Sequence, residues 1–544
     1  MPTTVGQYLL YRLKQLSVRH IFGVPGDFVL GFNKLIELTP DIEFINTCDE
    51  QGAGFAADAY ARINGFGVIC ITYCVGGLKV ANPVAEAFAE KSPVLVISGG
   101  PGVSERRENR LLHHRVRDFY TQKHVFDQLT VAATILDHGE RAISEIDRVI
   151  QAVVDHNRPG YIELPRDMVN YPISMLEGSD PIRPTALPLG PRFNDMVSTA
   201  LAMIDRAQTP VILVDAEIHR FRLHDTVRQL AERLNIPMAA TVLGKSTISE
   251  THPLYIGVYE GGLGHDSVRD VVESSDCQIL LGVLRSDMNT GVFTANLDPA
   301  KSIDLTYDRL IVGGDCVESI PMGVFLDALI QSGIAPKSSR FIPHPPEHRP
   351  FVPEPVPVSV RRVFDAVNSR LTEDMVVISD VGDALFGAMD LVIQSHTEFI
   401  SPAYYASIGF AVPASVGAAL ASPARRPIVI VGDGAFQMTG NELSTAIRYG
   451  LTPIIIILNN GGYGTERPML DGPFNDIFNW NYSRLPEIYN SGVGIKIRSE
   501  HDLNTAIDLA VNDDTQCYVL EVILDRHDRS DALNRLTAGL GAKV

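Results

Sequence analysis

Three doubly wound α/β domains, each built on a parallel sheet, are what this sequence predicts. The first observation is length: 544 residues at about 150 per domain give three to four domains. The second is a pair of proline-dense stretches, Asp180–Pro191 and Pro336–Pro357, the latter with eight prolines in 22 residues. Neither can hold a helix or a central strand, so both read as connectors. The expected domains are 1–180, 190–335 and 355–544. The third is a repeated grammar of short β-branched run, small-residue turn and a stretch at helical spacing.

Taken in order, the first third carries the runs GVICITYCV, SPVLVISGG and PGYIELP, and the second PVILVDA, IPMAATV, CQILLGV and DRLIVGG. The last third carries MVVISDVG, PIVIVGDG, PIIIILNN and CYVLEVIL. Runs apolar throughout and separated by helices indicate parallel strands covered on both faces. The thirds share architecture, with no short-period repeat.

Composition narrows the function. Apolar residues at 45% and charged residues at 20% describe a folded chain rather than a disordered one. The balance of 46 basic against 65 acidic residues, −19, repels phosphodiester backbones and anionic lipid, and no basic run offsets it. Nucleic-acid and membrane partners are not expected. Six cysteines without metal-ligand spacing read as reduced thiols of a cytoplasmic protein. The opening MPTTVGQYLLYRLKQ reads as an amphipathic helix rather than a signal peptide, and the longest aliphatic run, 454–458, is far short of a membrane span.

The most informative segment runs from Ile428 to Glu466 as strand, helix and strand. Asp433 ends the first strand and Asn460 follows the second, 27 residues on, about one βαβ crossover. A right-handed crossover puts both at the carboxyl edge of one sheet, adjacent if the strands are neighbours. One carboxylate, one amide oxygen and a nearby carbonyl suit Mg2+, which leaves its other positions to phosphate and water. Gly432 and Gly434 allow a diphosphate close to the backbone, with the following helix aiming free N–H groups at it. By itself GDG is more often a helix cap; GDG, some 25 residues and then NN is the thiamine diphosphate fingerprint.

With that motif the whole chain resembles the pyruvate decarboxylase group of thiamine diphosphate enzymes. The parts occur in the group's order: GVPGDF at 23–28, Glu50 before GAGFAADAYAR, HH at 113–114, LPRDM, SIGFAVPA at 407–414 and the fingerprint. AEKSPVLVISGGPG, GDALFGAMD and GDGAFQMTGNEL look most like the phenylpyruvate and indolepyruvate decarboxylase branch. The resemblance implies pyrimidine-binding, middle and diphosphate-binding domains, with thiamine diphosphate and Mg2+ as cofactors. The implied reaction is non-oxidative decarboxylation of a 2-oxo acid, bulky or aromatic, to an aldehyde and CO2 through an ylid and an enamine. It also implies a homodimer or homotetramer with sites shared between subunits. The alternatives are an acetohydroxyacid synthase-like carboligase and a flavin-dependent 2-oxo acid oxidase; the middle third has no clear GxGxxG, and such relatives lack the HH pair.

Residue by residue, the resemblance gives Glu50 the pyrimidine nitrogen, Ile408 the wedge beneath the two rings and the Ala406 carbonyl the exocyclic amine. Asp27, His113, His114 and Glu466 match the groups that handle protons and the substrate carboxylate. Asp433, Asn460 and Gly462 match the metal ligands, and Gly434, Ala435, Asp383 and Ala384 the diphosphate contacts. Departures are visible: Cys74 replaces a glycine, Gly77 and Lys79 replace common polar residues, and Asp383 stands where many relatives have threonine. An acid facing phosphate is costly, so Asp383 is expected to turn to a backbone amide or to substrate. Met469, Leu470 and Phe474, on a helix expected after Glu466, either line a substrate cavity or simply pack.

Overall fold

The computed structural model describes residues 2–174, 180–186, 188–318, 320–338, 350–394 and 398–540. Much of the proline-dense connector at 336–357 lies outside the described residues. By its contacts the chain divides into two compact units, residues 1–185 with 405–427 and 437–453, and residues 186–404 with 428–436 and 454–544.

The first unit is built on a six-stranded sheet, all parallel. In chain order its strands are His20–Gly23, Glu43–Asn46, Gly67–Ile71, Val94–Gly100, Ala132–Ile135 and Gly160–Pro165. Across the sheet they run 2-1-3-4-6-5. The strands 67–71, 94–100 and 160–165 are buried at every position, as their apolar runs require. Order reverses between the first and third strands, which opens a crevice at their carboxyl ends.

Helix Glu50–Asn64, capped by the Asp49 side chain on Gln51 N, packs in this unit against helix Ala411–Ala421. Both carry glycine and alanine on the shared face, so their backbones meet. A Cβ on Gly417 would come within 1.9 Å of the Ala56 carbonyl oxygen. Gly417→Ala is therefore expected to overpack the crossing by about 1–3 kcal/mol and lower the thermal unfolding midpoint by several degrees. An unchanged midpoint in differential scanning calorimetry contradicts it.

The second unit holds two sheets. One comprises Met375–Ser379, Glu398–Ile400, Arg426–Gly432, Ile454–Asn459, Val493–Ile497 and Tyr518–Ile523, again in the order 2-1-3-4-6-5. The topology of the first sheet thus recurs in the last third. The other sheet has seven strands: Pro210–Val214, Met238–Thr241, Tyr255–Tyr259, Cys277–Leu281, Ser302–Thr306, Arg309–Val312 and Asp315–Glu318, in the order 7-6-5-4-1-2-3. Its last two strands are antiparallel, a correction to the parallel strand expected from DRLIVGG. Only Tyr307 and Asp308 separate 302–306 from 309–312, which leaves room for a hairpin and none for a crossover. Among the described residues no helix is long and apolar enough to cross a membrane.

Candidate active site

In the first unit the predicted residues converge on the carboxyl edge of the sheet. Asp27 lies in the turn after strand 20–23, and Glu50 opens the helix that follows strand 43–46. His113 and His114 lie in the irregular segment before helix Thr121–Leu129. His113 Nε2 is 2.8 Å from the Asp27 carboxylate. The His114 ring meets that of His113 edge-on at 4.6 Å between centroids, and Phe28 stacks on His113 at 4.8 Å. One ligating atom from each of Asp27, His113 and His114 lies within 4.8 Å of the others. All three are at least partly open to solvent, as groups that exchange protons with a small molecule must be.

Glu50 is 8% exposed. Its Oε2 is 2.7 Å from Lys79 Nζ, and Lys79 also pairs with Asp49. Burial works against the charge on Lys79, but the bonds to the two carboxylates outweigh it and raise its pKa. Glu50 Oε1 faces Gly76, where a Cβ would lie 3.3 Å away. Thr72, directly after strand 67–71, approaches both Gly76 and Gly26, and its buried hydroxyl has no hydrogen-bond partner. A buried unpaired hydroxyl is costly unless something fills its place, so this edge suits a polar heterocycle.

Glu442 is the functional residue that sequence reasoning missed. It is buried and accepts the Cys48 and Asp49 backbone N–H groups at 3.2 and 3.0 Å and the Thr445 hydroxyl at 2.6 Å. It thereby holds the turn from which Glu50 projects, and burial raises its pKa. It lies in GDGAFQMTGNEL, a string that carried the resemblance without a role for this acid. A Cβ on Gly52 would strike its carboxylate at 2.1 Å, and that small residue beside the turn was the available signal.

Cys74 is buried with Phe28 and Tyr73, pointing into the domain. Its φ of 58° is a conformation that favours glycine. Burial raises its thiol pKa. Ala406, exposed, also has a positive φ, 60°, and Ile408 is half-buried.

In the second unit Gly432 pairs in register with Leu458, so Asp433 and Asn460 leave neighbouring strands. The Gly462 N–H is shared between Asp433 Oδ2 at 3.2 Å and Asn460 Oδ1 at 3.3 Å. The two predicted metal ligands therefore face the same point. Asp433 Oδ2 also accepts the Gly461 N–H at 2.7 Å. Burial pushes the Asp433 pKa up to about 6 against these backbone donors, and no cationic side chain pairs with it among the described residues. A buried carboxylate lacking a counter-charge, beside an amide oxygen, is a pair of oxygen donors that a hard divalent cation suits; the carbonyl of Gly462, the third predicted ligand, accepts the Gly464 N–H at 3.0 Å. One expectation is corrected: the helix begins at Asp433, and the Gly434 N–H is bonded to Asp433 Oδ1 at 2.8 Å rather than free.

Asp383 begins helix Asp383–Ala388, and its carboxylate accepts the Ser530 backbone N–H at 3.0 Å and the Ser530 hydroxyl. Burial pushes its pKa up to about 6. Ala384 and Ala435 are buried beside these turns. Glu466 is exposed, and the helix expected after it is a run of turns leading to a 3-10 turn at Pro473–Asn475. Pro468 and Pro473 interrupt that stretch. Leu470 and Phe474 are 64% exposed and Met469 is half-buried, so within one chain the first two are not part of the packed core.

In the seven-stranded sheet Asp215 follows the first strand, at the crevice between the first and fourth strands. Asp215 accepts N–H groups of Ala216 and Leu284 and the Asn289 amide at 2.6–2.7 Å. Burial pushes its pKa up to about 7.

Residues 3–130 match the thiamine pyrophosphate enzyme N-terminal TPP binding domain, 197–322 the central domain and 380–522 the C-terminal TPP binding domain. The chain is 36% identical over 543 residues to an indole-3-pyruvate decarboxylase of Azospirillum brasilense, covering 98% of each. It is 34% identical to an alpha-keto-acid decarboxylase of Mycolicibacterium paratuberculosis, covering 96% of this chain and 94% of that one. A Mycobacterium tuberculosis alpha-keto-acid decarboxylase is also 34% identical, with 99% and 97% covered. With matches in three consecutive domains and likeness along nearly its whole length, the chain belongs to the thiamine pyrophosphate enzymes.

Proposed function

We propose that this enzyme decarboxylates a 2-oxo acid non-oxidatively to an aldehyde and CO2, using thiamine diphosphate and Mg2+. The carrying observation is the Asp27–His113–His114 cluster at the sheet edge that also presents Glu50. Bound thiamine diphosphate supplies an electron sink for cleaving the bond between a carbonyl carbon and a carboxylate. Glu50 exchanges a proton with the pyrimidine nitrogen through its Oε1, while Lys79 holds Oε2. Asp27 and the two histidines would deliver the proton that replaces CO2 on the carbonyl carbon, and Glu466 would serve a proton relay through water near the substrate carboxylate. Asp433, Asn460 and the Gly462 carbonyl hold the cation, Gly434, Ala435, Asp383 and Ala384 border the diphosphate, and Ala406 and Ile408 seat the pyrimidine.

The name of one relative, an indole-3-pyruvate decarboxylase, supports an aromatic substrate, indolepyruvate first, with phenylpyruvate proposed beside it on the motif resemblance. A buried carboxylate at the crevice of the seven-stranded sheet, Asp215, opposes a dinucleotide pyrophosphate there and supports the decarboxylase over a flavin-dependent oxidase. Domains at 1–180, 190–335 and 355–544 and a homodimer or homotetramer belong to the same proposal. The exposed side chains Leu470, Phe474, Phe478 and Trp480 support self-association. Among the described side chains the cysteines form no disulfide with one another, which supports a reducing, cytoplasmic setting.

The test is a substrate panel. Protein reconstituted with thiamine diphosphate and Mg2+ is expected to release aldehyde from indolepyruvate or phenylpyruvate with a kcat/KM at least about tenfold above that for pyruvate. Aldehyde release from none of these acids overturns the reaction; a preference for pyruvate overturns the substrate class.

A further inference from the structure

A cavity of about 230 Å3 lies in the second unit, lined in part by Met389, Asp390 and Leu391, which follow helix Asp383–Ala388. Glu260, at the end of strand 255–259, lines it; the residue is 7% exposed, and its Oε1 is buried without a hydrogen-bond partner. Arg535, on helix Asp531–Leu540, lines it as well. Its Nε donates to the Leu263 carbonyl at 2.7 Å, and its two terminal nitrogens have no partner among the described residues.

The other charges of the wall are satisfied within it. Glu250 takes the buried Lys245 ammonium at 2.8 and 3.0 Å, the Tyr255 hydroxyl at 3.1 Å and the Ile393 N–H at 2.9 Å. His265 Nε2 lies 2.9 Å from Asp390 Oδ1, a pair that raises the pKa of the imidazole. One anion and one cation are thus left over, and they make no ion pair with each other. Ile256, Val258, Val268 and Met389 supply the apolar remainder. Leaving a buried carboxylate oxygen without a hydrogen bond costs free energy that a ligand ammonium recovers.

We propose that this cavity binds an α-amino acid with an apolar side chain, its ammonium on Glu260, its carboxylate on Arg535 and its side chain against the aliphatic wall. The volume lies below the roughly 300–1,000 Å3 of sites for larger ligands, which excludes a nucleotide or a flavin. A 2-oxo acid offers Glu260 only acceptors. Burial pushes the Glu260 pKa up to about 7, with Arg535 opposing the shift and Asp390 adding to it, and a more alkaline pH favours the carboxylate form. An α-amino acid is one transamination from a 2-oxo acid, so the site lets the supply of one be sensed by an enzyme consuming the other. That last step rests on the decarboxylase reading; the binding itself does not.

Calorimetric titration of the full-length holoenzyme at pH 8 tests the binding without turnover. L-Leucine or L-phenylalanine is expected to saturate one site per chain, whereas 4-methylpentanoate, lacking the ammonium, and 3-methylbutylamine, lacking the carboxylate, do not compete. Glu260→Gln and Arg535→Met are each expected to weaken binding at least about tenfold, with decarboxylation at saturating substrate retained. Absence of saturable binding in the unmodified enzyme, equal competition by either truncated ligand, or unchanged affinity in both variants overturns the proposal. Failure of the substrate panel leaves this titration unaffected, so the two readings fail separately.

Discussion

Glu50→Gln is expected to lower turnover by about 10²–10⁴-fold, the range for loss of a positioned acid–base group, with the affinity for thiamine diphosphate nearly unchanged. The amide keeps the size of the side chain and an oxygen toward Lys79, but it cannot exchange a proton with a ring nitrogen. The turn itself stays in place, because Glu442 grips the Cys48 and Asp49 backbone and Asp49 caps the helix. Lys79 keeps Asp49 as its counter-ion, so the substitution leaves no unpaired cation. Steady-state turnover together with a cofactor titration separates chemistry from binding. Equal turnover in the two proteins rejects the role given to Glu50.

Asp433→Asn acts on the opposite quantity. Removing the charge takes away the one anionic ligand of the proposed cation set. It also sets the new amide NH2 against either the Gly434 N–H or those of Gly461 and Gly462, where the carboxylate accepted all three. Half-saturation by Mg2+ and by thiamine diphosphate is expected to rise at least about 100-fold, with activity partly restored at high concentrations of both. Dialysis of the unmodified protein against a chelator is expected to release the coenzyme with the metal. Unchanged half-saturation by Mg2+ in the variant removes Asp433 from the metal set.

Some of this arrangement is readable along the chain because its causes are local. Uniformly apolar runs bounded by helical spacing identify the buried strands 67–71, 94–100, 428–432 and 454–459. The 27 residues from Asp433 to Asn460 match a crossover, and the structure pairs those strands with both side chains on one N–H group. The hairpin at 302–312 was misread because an apolar strand on a sheet's edge and one in its middle have the same composition. The helix expected after Glu466 is absent because Pro468 and Pro473 each remove a backbone donor and fix φ, so the stretch runs as turns.

What the amino-acid order determined by itself is the α/β class, the family and the residue types of the two constellations, since each follows from short-range pattern and motif. Only the tertiary structure decided that the first and last thirds share one strand order, that Glu442 steadies the turn bearing Glu50, and that Glu260 and Arg535 are left over around one cavity. Those facts depend on which distant backbones approach closely enough to touch, as at Gly417 and Ala56, and on which charges burial leaves unmatched. Both are sums over many long-range contacts, and no local stretch of sequence contains them.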